Sequence, residues 1–179
     1  GASGDLARRK LIPALYDLYA HACLAPRFSI VGFARTPMRD DSFRASAEAA
    51  AHKMSEVGPI NEEKWRAFAQ GLNYVSGEYD RPDAFERLAK RLDALDRERN
   101  LGGNRLYYLA MPPDVYPLVI EQLGRAGLAK PQGEARVRII VEKPFGRDLA
   151  SARELNQKVL SVFDESQVYR IDHYLGKET

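Results

Sequence analysis

The sequence predicts an α/β domain, a doubly wound parallel sheet with helices on both faces. Three observations predict it. Short apolar runs alternate with segments of helical period along the whole chain. The connections between those runs are long enough for the crossovers that parallel pairing requires. A turn of the form Gly1-x-x-Gly4-x-x-Ala7 opens onto a helical segment, as expected after a parallel strand. No repeat, low-complexity tract or internal linker interrupts the chain, so one domain is expected over residues 1–179.

Leu11, Leu15 and Leu18 repeat at helical spacing and predict a helix from about Asp5 to Ala22, interrupted by Pro13 at the cost of a bend. Phe28 to Phe33 reads as a strand, and Ser42 to Ser55 as the second helix. Asn61-Glu62-Glu63 has the form of a capped start, with Trp65 and Phe68 facing the core and Gly71 as the stop. Leu72 to Ser76 is a strand, and Phe85, Leu88, Leu92 and Leu95 form one apolar helix face, read as ordinary core. Arg105 to Ala110 is a further strand, with a helix starting near Pro113. The β-branched run from Val137 to Val141 is of the kind expected of a strand buried on both faces. Ser151-x-x-Glu154 reads as a capping box opening a helix through Phe163, and Val168 to Ile171 is the last strand.

Composition excludes several functions. With 27 basic and 25 acidic residues the formal charge is +2, too small for a nucleic-acid surface. No apolar stretch is long enough to span a membrane, and no metal site is expected. The single cysteine, Cys23, reads as a small buried hydrophobe on a helix face. Unable to form an internal disulfide, it fits a reducing compartment, and a cytoplasmic location is expected.

Ligands of doubly wound sheets bind beyond the carboxyl ends of the strands, and the chemistry-bearing residues lie at such ends. Gly1 and Gly4 would let backbone amides approach a pyrophosphate at the helix N-terminus, although a plain strand-to-helix turn fits the same pattern. The next strand ends in Ala34-Arg35-Thr36, without the acid that binds a ribose 2′-hydroxyl. A guanidinium there suits the 2′-phosphate of NADP, although a solvent-exposed loop arginine fits the same position. Lys143, fixed by Pro144, could reach a ribose hydroxyl and a sugar hydroxyl, or the segment could be only a strand-ending turn. Asp172, His173, Tyr174 and Lys177 gather a carboxylate, an imidazole, a phenol and an amine, the set that a charged, hydroxylated substrate needs. His21 and His52 lie in helical stretches and read as structural or surface residues.

Three segments resemble the glucose-6-phosphate dehydrogenase family in the right order: Gly1-Ala2-Ser3-Gly4-Asp5-Leu6-Ala7, Glu142-Lys143-Pro144-Phe145-Gly146, and Arg170-Ile171-Asp172-His173-Tyr174-Leu175-Gly176-Lys177-Glu178. The resemblance implies a Rossmann-type coenzyme domain for NADP, with Gly1, Ser3, Gly4, Asp5 and Leu6 in the fingerprint and Lys10 near coenzyme and substrate. Val31-Gly32-x-Ala34-Arg35 matches the NADP-selecting stretch, and Met111 and Pro112 match the loop beside the nicotinamide. Gly77-Glu78-Tyr79 resembles a loop near the adenosine half but reads as a bland turn. Lys143 is implied to touch both coenzyme and sugar, before a proline that is often cis in the family. His173, Tyr174 and Lys177 would bind the phosphate of glucose 6-phosphate, and Asp172 would orient a catalytic base histidine lying beyond this chain.

The implied reaction oxidises glucose 6-phosphate to a lactone, the first step of the oxidative pentose phosphate pathway, in an enzyme usually dimeric or tetrameric. Two other readings stand beside it, a non-catalytic NADP-sensing module and a dehydrogenase for a related sugar phosphate. The chain is expected to be a fragment without its first strand and without its C-terminal substrate and dimerisation domain, inactive alone.

Overall fold

The computed structural model describes residues 1–54 and 59–171. The expectations for Ser55 and for Asp172, His173, Tyr174 and Lys177 lie outside the described residues. Among the described residues, five strands alternate with six α-helices, and every strand pair is parallel. The chain divides into two compact units, Gly1–Glu78 with Arg87–Leu101, and Tyr79–Glu86 with Gly102–Thr179.

In the first unit, β1 (Ile30–Ala34) pairs with β2 (Leu72–Ser76) in the register Ile30↔Leu72 to Ala34↔Ser76. Helices α1 (Ile12–Ala20), α2 (Asp40–Met54) and α3 (Glu62–Ala69) supply the rest of its core. Ile12, Tyr16, Phe43, Trp65, Phe68, Leu72 and Tyr74 are buried together. Tyr16, Trp65 and Phe68 stand with ring centroids 5.4–5.6 Å apart in tilted and edge-on arrangements. Each such pair adds about 0.5–1.5 kcal/mol beyond its area burial. Ala47 and Ala51, both fully buried, let α2 come close. Asn61 caps α3 as its sequence foretells, its Oδ1 accepting from the Lys64 amide at 2.9 Å.

Two expectations about this unit change. Pro13 does not bend an otherwise regular helix. A π-helical turn over Ala7–Leu11 precedes α1, and the Ile12 amide reaches back five residues to the Ala7 carbonyl. The wider turn lies immediately before the donor-less proline, inside a helix that runs from Asp5 to Ala20. The buried line then runs through Ile12 and Tyr16, while Leu18 stays 44% exposed. Cys23 is exposed, because α1 ends at Ala20 and Ala22, at φ 57°, turns the chain off the helix axis.

The long helix α4 (Pro82–Arg99) has Phe85, Leu88 and Leu95 buried, as its spacing predicts, with Leu92 half-buried. In the second unit, β3 (Arg105–Tyr108), β4 (Val137–Glu142) and β5 (Val168–Ile171) form a sheet with β4 in the middle. Burial along β4 alternates rather than covering both faces. Val137, Ile139 and Val141 are buried, whereas Arg138 interrupts the β-branched run and lies over the Tyr169 ring at 5.7 Å. Helix α5 (Tyr116–Arg125) and helix α6 (Leu149–Leu160) pack against each other and are joined by a 2.6 Å Lys158–Glu121 ion pair. Asp148 caps α6 and Ser151 completes the box from inside, so the helix begins before the serine that announced it.

Candidate functional site

The carboxyl end of β1 carries the glycine turn. The Gly1 amino group and the Ala2 amide both donate to the Phe33 carbonyl, at 2.9 and 3.2 Å. The turn closes on itself through the Gly4 amide and the Gly1 carbonyl at 2.9 Å, and the Ser3 and Thr36 hydroxyls meet at 3.0 Å. Gly32 makes this docking possible, a role the sequence reading missed. A Cβ there would stand 2.8 Å from the Phe43 ring, 2.9 Å from Ala2 Cβ and 3.0 Å from the Tyr74 ring. A glycine inside a strand is the signal that a backbone approaches closely.

Arg35 is exposed just past β1. Arg35 and the turn share one end of the strand, since Gly1 and Ala2 bond the Phe33 carbonyl two residues before Arg35. The nearest following acid, Asp40, faces the sheet. Its Oδ1 accepts from the Tyr74 amide at 2.6 Å and its Oδ2 from Arg91 at 2.9 Å. Asp5 is exposed and paired with Arg8 at 2.9 Å, Leu6 is 36% exposed, and Lys10 lies exposed in the π turn. The helix begins at Asp5, with the Arg8 amide donating to the Gly4 carbonyl at 3.1 Å, and Gly4 has no side chain to cap it. The first amides of a helix have no carbonyl in their own helix, so this turn fits a diphosphate.

The second unit places Met111, Pro112 and Lys143 at the carboxyl ends of β3 and β4. Met111 is half-buried, Pro112 and Lys143 are exposed, and the Lys143–Pro144 bond is cis. Gly146 adopts φ 91°, and a side chain there would strike the backbone of Ser151 and Ala152, so the loop lies tight on the start of α6. Arg147 bonds Asp114 at 3.1 Å, and the two loops line an open groove of about 920 Å³ with Pro113, Pro117 and Pro144.

Two phenols meet the end of β4, also unforeseen. Tyr108 Oη donates to Glu142 Oε1 at 2.6 Å, and Tyr116 Oη donates to the Leu109 carbonyl at 3.3 Å. Burial, then the Glu142 carboxylate, raises the Tyr108 phenol above its usual range. The same two causes push Tyr116 up to about 12 against an opposing backbone hydrogen bond from Glu142. The signal was a glutamate closing a strand that is apolar apart from Arg138. His21 and His52 are surface residues, the first bonded to the Asp17 carbonyl and the second 3.7 Å from Glu62.

Comparison with known proteins places these features in a family. The family model described as the glucose-6-phosphate dehydrogenase NAD-binding domain matches residues 1–179. "Glucose-6-phosphate 1-dehydrogenase 2" of Mycobacterium tuberculosis is 50% identical over 179 residues, covering 100% of this chain and 35% of that protein. "Glucose-6-phosphate 1-dehydrogenase 6, cytoplasmic" of Arabidopsis thaliana is 42% identical over 182 residues, with 99% and 35% covered. A solved glucose-6-phosphate dehydrogenase in complex with its substrate glucose-6-phosphate superposes with a TM-score of 0.88 at 36% identity, covering 99% of this chain and 36% of that one. The chain thus spans about 35% of the length of these curated relatives. It belongs to the glucose-6-phosphate dehydrogenase family, the match to the family's NAD-binding domain running over residues 1–179 of this chain.

Proposed function

We propose that this chain is the coenzyme domain of an NADP-dependent glucose-6-phosphate dehydrogenase, which oxidises glucose 6-phosphate to 6-phosphoglucono-lactone. The observation that carries the proposal is the glycine turn seated on β1 beside Arg35, in a chain matching the family over its full length. Gly1, Ser3, Gly4, Asp5 and Leu6 present the helix-start amides to the diphosphate, and Arg35 pairs with the 2′-phosphate. Lys10 stands near coenzyme and substrate. Met111 and Pro112 wall the nicotinamide, and Lys143 reaches ribose and sugar hydroxyls. His173, Tyr174 and Lys177 hold the sugar phosphate, and Asp172 orients a histidine base. Bound NADP supplies the hydride acceptor, and the protein supplies position and charge. The relatives named as cytoplasmic support a cytoplasmic location, and a homo-oligomer is expected of the whole protein. Among the described residues no helix is long and apolar enough to cross a membrane.

The test follows NADPH formation by the complete protein with glucose 6-phosphate, alongside glucose and NAD. Turnover should require both the phosphate and NADP. Arg35→Ala should raise the NADP Michaelis constant by about 10- to 150-fold, the range for losing one charged hydrogen bond, and leave the constant for NAD nearly unchanged. An unaltered NADP constant removes Arg35 from the site. NADP binding without turnover favours the sensing module.

A further inference from the structure

Thr36 is tied in two directions at once. It is exposed, follows Arg35 just past β1, and lies beyond the last register pair, Ala34↔Ser76. Its hydroxyl meets that of Ser3 in the glycine turn at 3.0 Å. Its carbonyl accepts at 2.7 Å from the hydroxyl of Tyr74, a core residue only 6% exposed. Pro37 comes next, and a following proline favours extended backbone at Thr36.

Tyr74 reaches that carbonyl from the middle of β2. Register sets it opposite Gly32, and its ring lies 3.0 Å from where a Gly32 Cβ would stand. The Phe43 ring backs it at 5.1 Å between centroids. The space left by Gly32 lets the phenol run toward the carboxyl end of β1, where the Ala34 carbonyl is 3.5 Å from its hydroxyl. That carbonyl already accepts from the Gly77 amide at 3.0 Å, so the short bond to Thr36 is the stronger hold. Burial raises the phenol above its usual range, against an opposing hydrogen bond from Ser3, so it stays protonated and donates.

A phenylalanine would fill the same ring space. What only tyrosine adds is a grip on the chain beyond the strand, and Thr36 passes that grip to the turn. The Ala2 amide fixes the start of the turn on the Phe33 carbonyl, whereas Ser3, one residue on, is joined to the strand end by its side chain. Groups that meet a ligand need neighbours whose own positions are locked.

We infer that Tyr74 and Thr36 are positioning residues for the coenzyme turn, holding Ser3 by hydrogen bonds that run from the Tyr74 hydroxyl through Thr36 to the Ser3 hydroxyl. The inference rests on the coenzyme role proposed for that turn. In the complete protein, Tyr74→Phe and Thr36→Val should each raise the NADP dissociation constant, read by calorimetric titration, by about 2- to 13-fold, the range for one neutral hydrogen bond. Thr36→Ser keeps the hydroxyl and should bind NADP as wild type does. Made on top of Ser3→Ala, Tyr74→Phe and Thr36→Val should do nothing further. At saturating NADP the Michaelis constant for glucose 6-phosphate should stay near that of wild type, because these bonds end at the coenzyme turn.

Unchanged NADP affinity in Thr36→Val, a surface change, would overturn the inference even if Tyr74→Phe failed to fold. Equal losses with and without the Ser3 hydroxyl would overturn it too, since the two residues would then act on the fold at large. Protein that binds NADP but turns over no sugar phosphate defeats the proposed function, and the NADP affinities of the variants still decide the roles of Tyr74 and Thr36. A wild-type protein that does not bind NADP defeats both.

Discussion

Gly32 sits buried in the middle of β1, where strand propensity argues against glycine. Its missing side chain is the space into which Ala2 docks against Phe43 and Tyr74. Gly32→Ala should therefore cost about 1–3 kcal/mol, as overpacking does, and weaken NADP binding through the displaced turn. Denaturant melts and NADP titration of the variant check both effects, and a melt like that of wild type would show that the turn yields freely. Residue chemistry was unevenly legible. The placement of Gly1, Gly4 and Arg35 at the end of a strand was legible, because a glycine turn opening onto a helix and an apolar run ending in Ala34-Arg35 both show in the sequence. The roles of Gly32 and the two phenols were not, since their meaning lies in a neighbour distant in sequence. Cys23 misled for a local reason, its exposure being set by the conformation of Ala22 just before it.

At the scale of elements, the outer edge of β2 shows how this fold guards its strands. The Tyr74 amide goes to Asp40 at 2.6 Å, while Arg44 and Arg87 take the Leu72 and Ser76 carbonyls at 3.0 and 3.3 Å. Side chains thus occupy groups that a stray strand would otherwise pair with. Asp40→Ala frees the Tyr74 amide and leaves Arg91 without that carboxylate. The expected loss is about 1–3 kcal/mol, with faster aggregation on warming, seen by light scattering. Stability and solubility equal to wild type would mean that water replaces Asp40 adequately. Strands β2 and β5 have the bounds their sequence suggests, each an apolar stretch beginning just after a turn or short helix. The start of α6 was misjudged by a few residues, because Asp148 and Ser151 share the box and serine alone reads as the cap. Alternation along β4 was hidden by counting Arg138 within an apolar run.

For the whole molecule, pH provides the sharpest handle. Tyr116, at about 12, and Tyr108, raised likewise, hold their protons more tightly than a phenol in the unfolded chain, which titrates near pH ~10. A raised folded value means that this stability is fully present below about pH 10 and is lost as pH climbs toward the folded value. Urea melts taken from about pH 9 to 12 should show a falling midpoint, and Tyr116→Phe should flatten part of the fall. An identical slope in the variant would exclude Tyr116 as a cause. The fold class was legible throughout because alternation of apolar runs and helical spacing is a property of long stretches. Of the residues expected at the sugar phosphate, Asp172, His173, Tyr174 and Lys177 lie outside the described residues. The π turn over Ala7–Leu11 adds a last point about phase. Its one extra residue offsets the angular count along the helix by about 100°, the step of a single residue at 3.6 per turn. A helical wheel drawn back from Tyr16 therefore misassigns the direction of everything upstream, and the bearing of the glycine turn is set by this offset and not by regular helical periodicity.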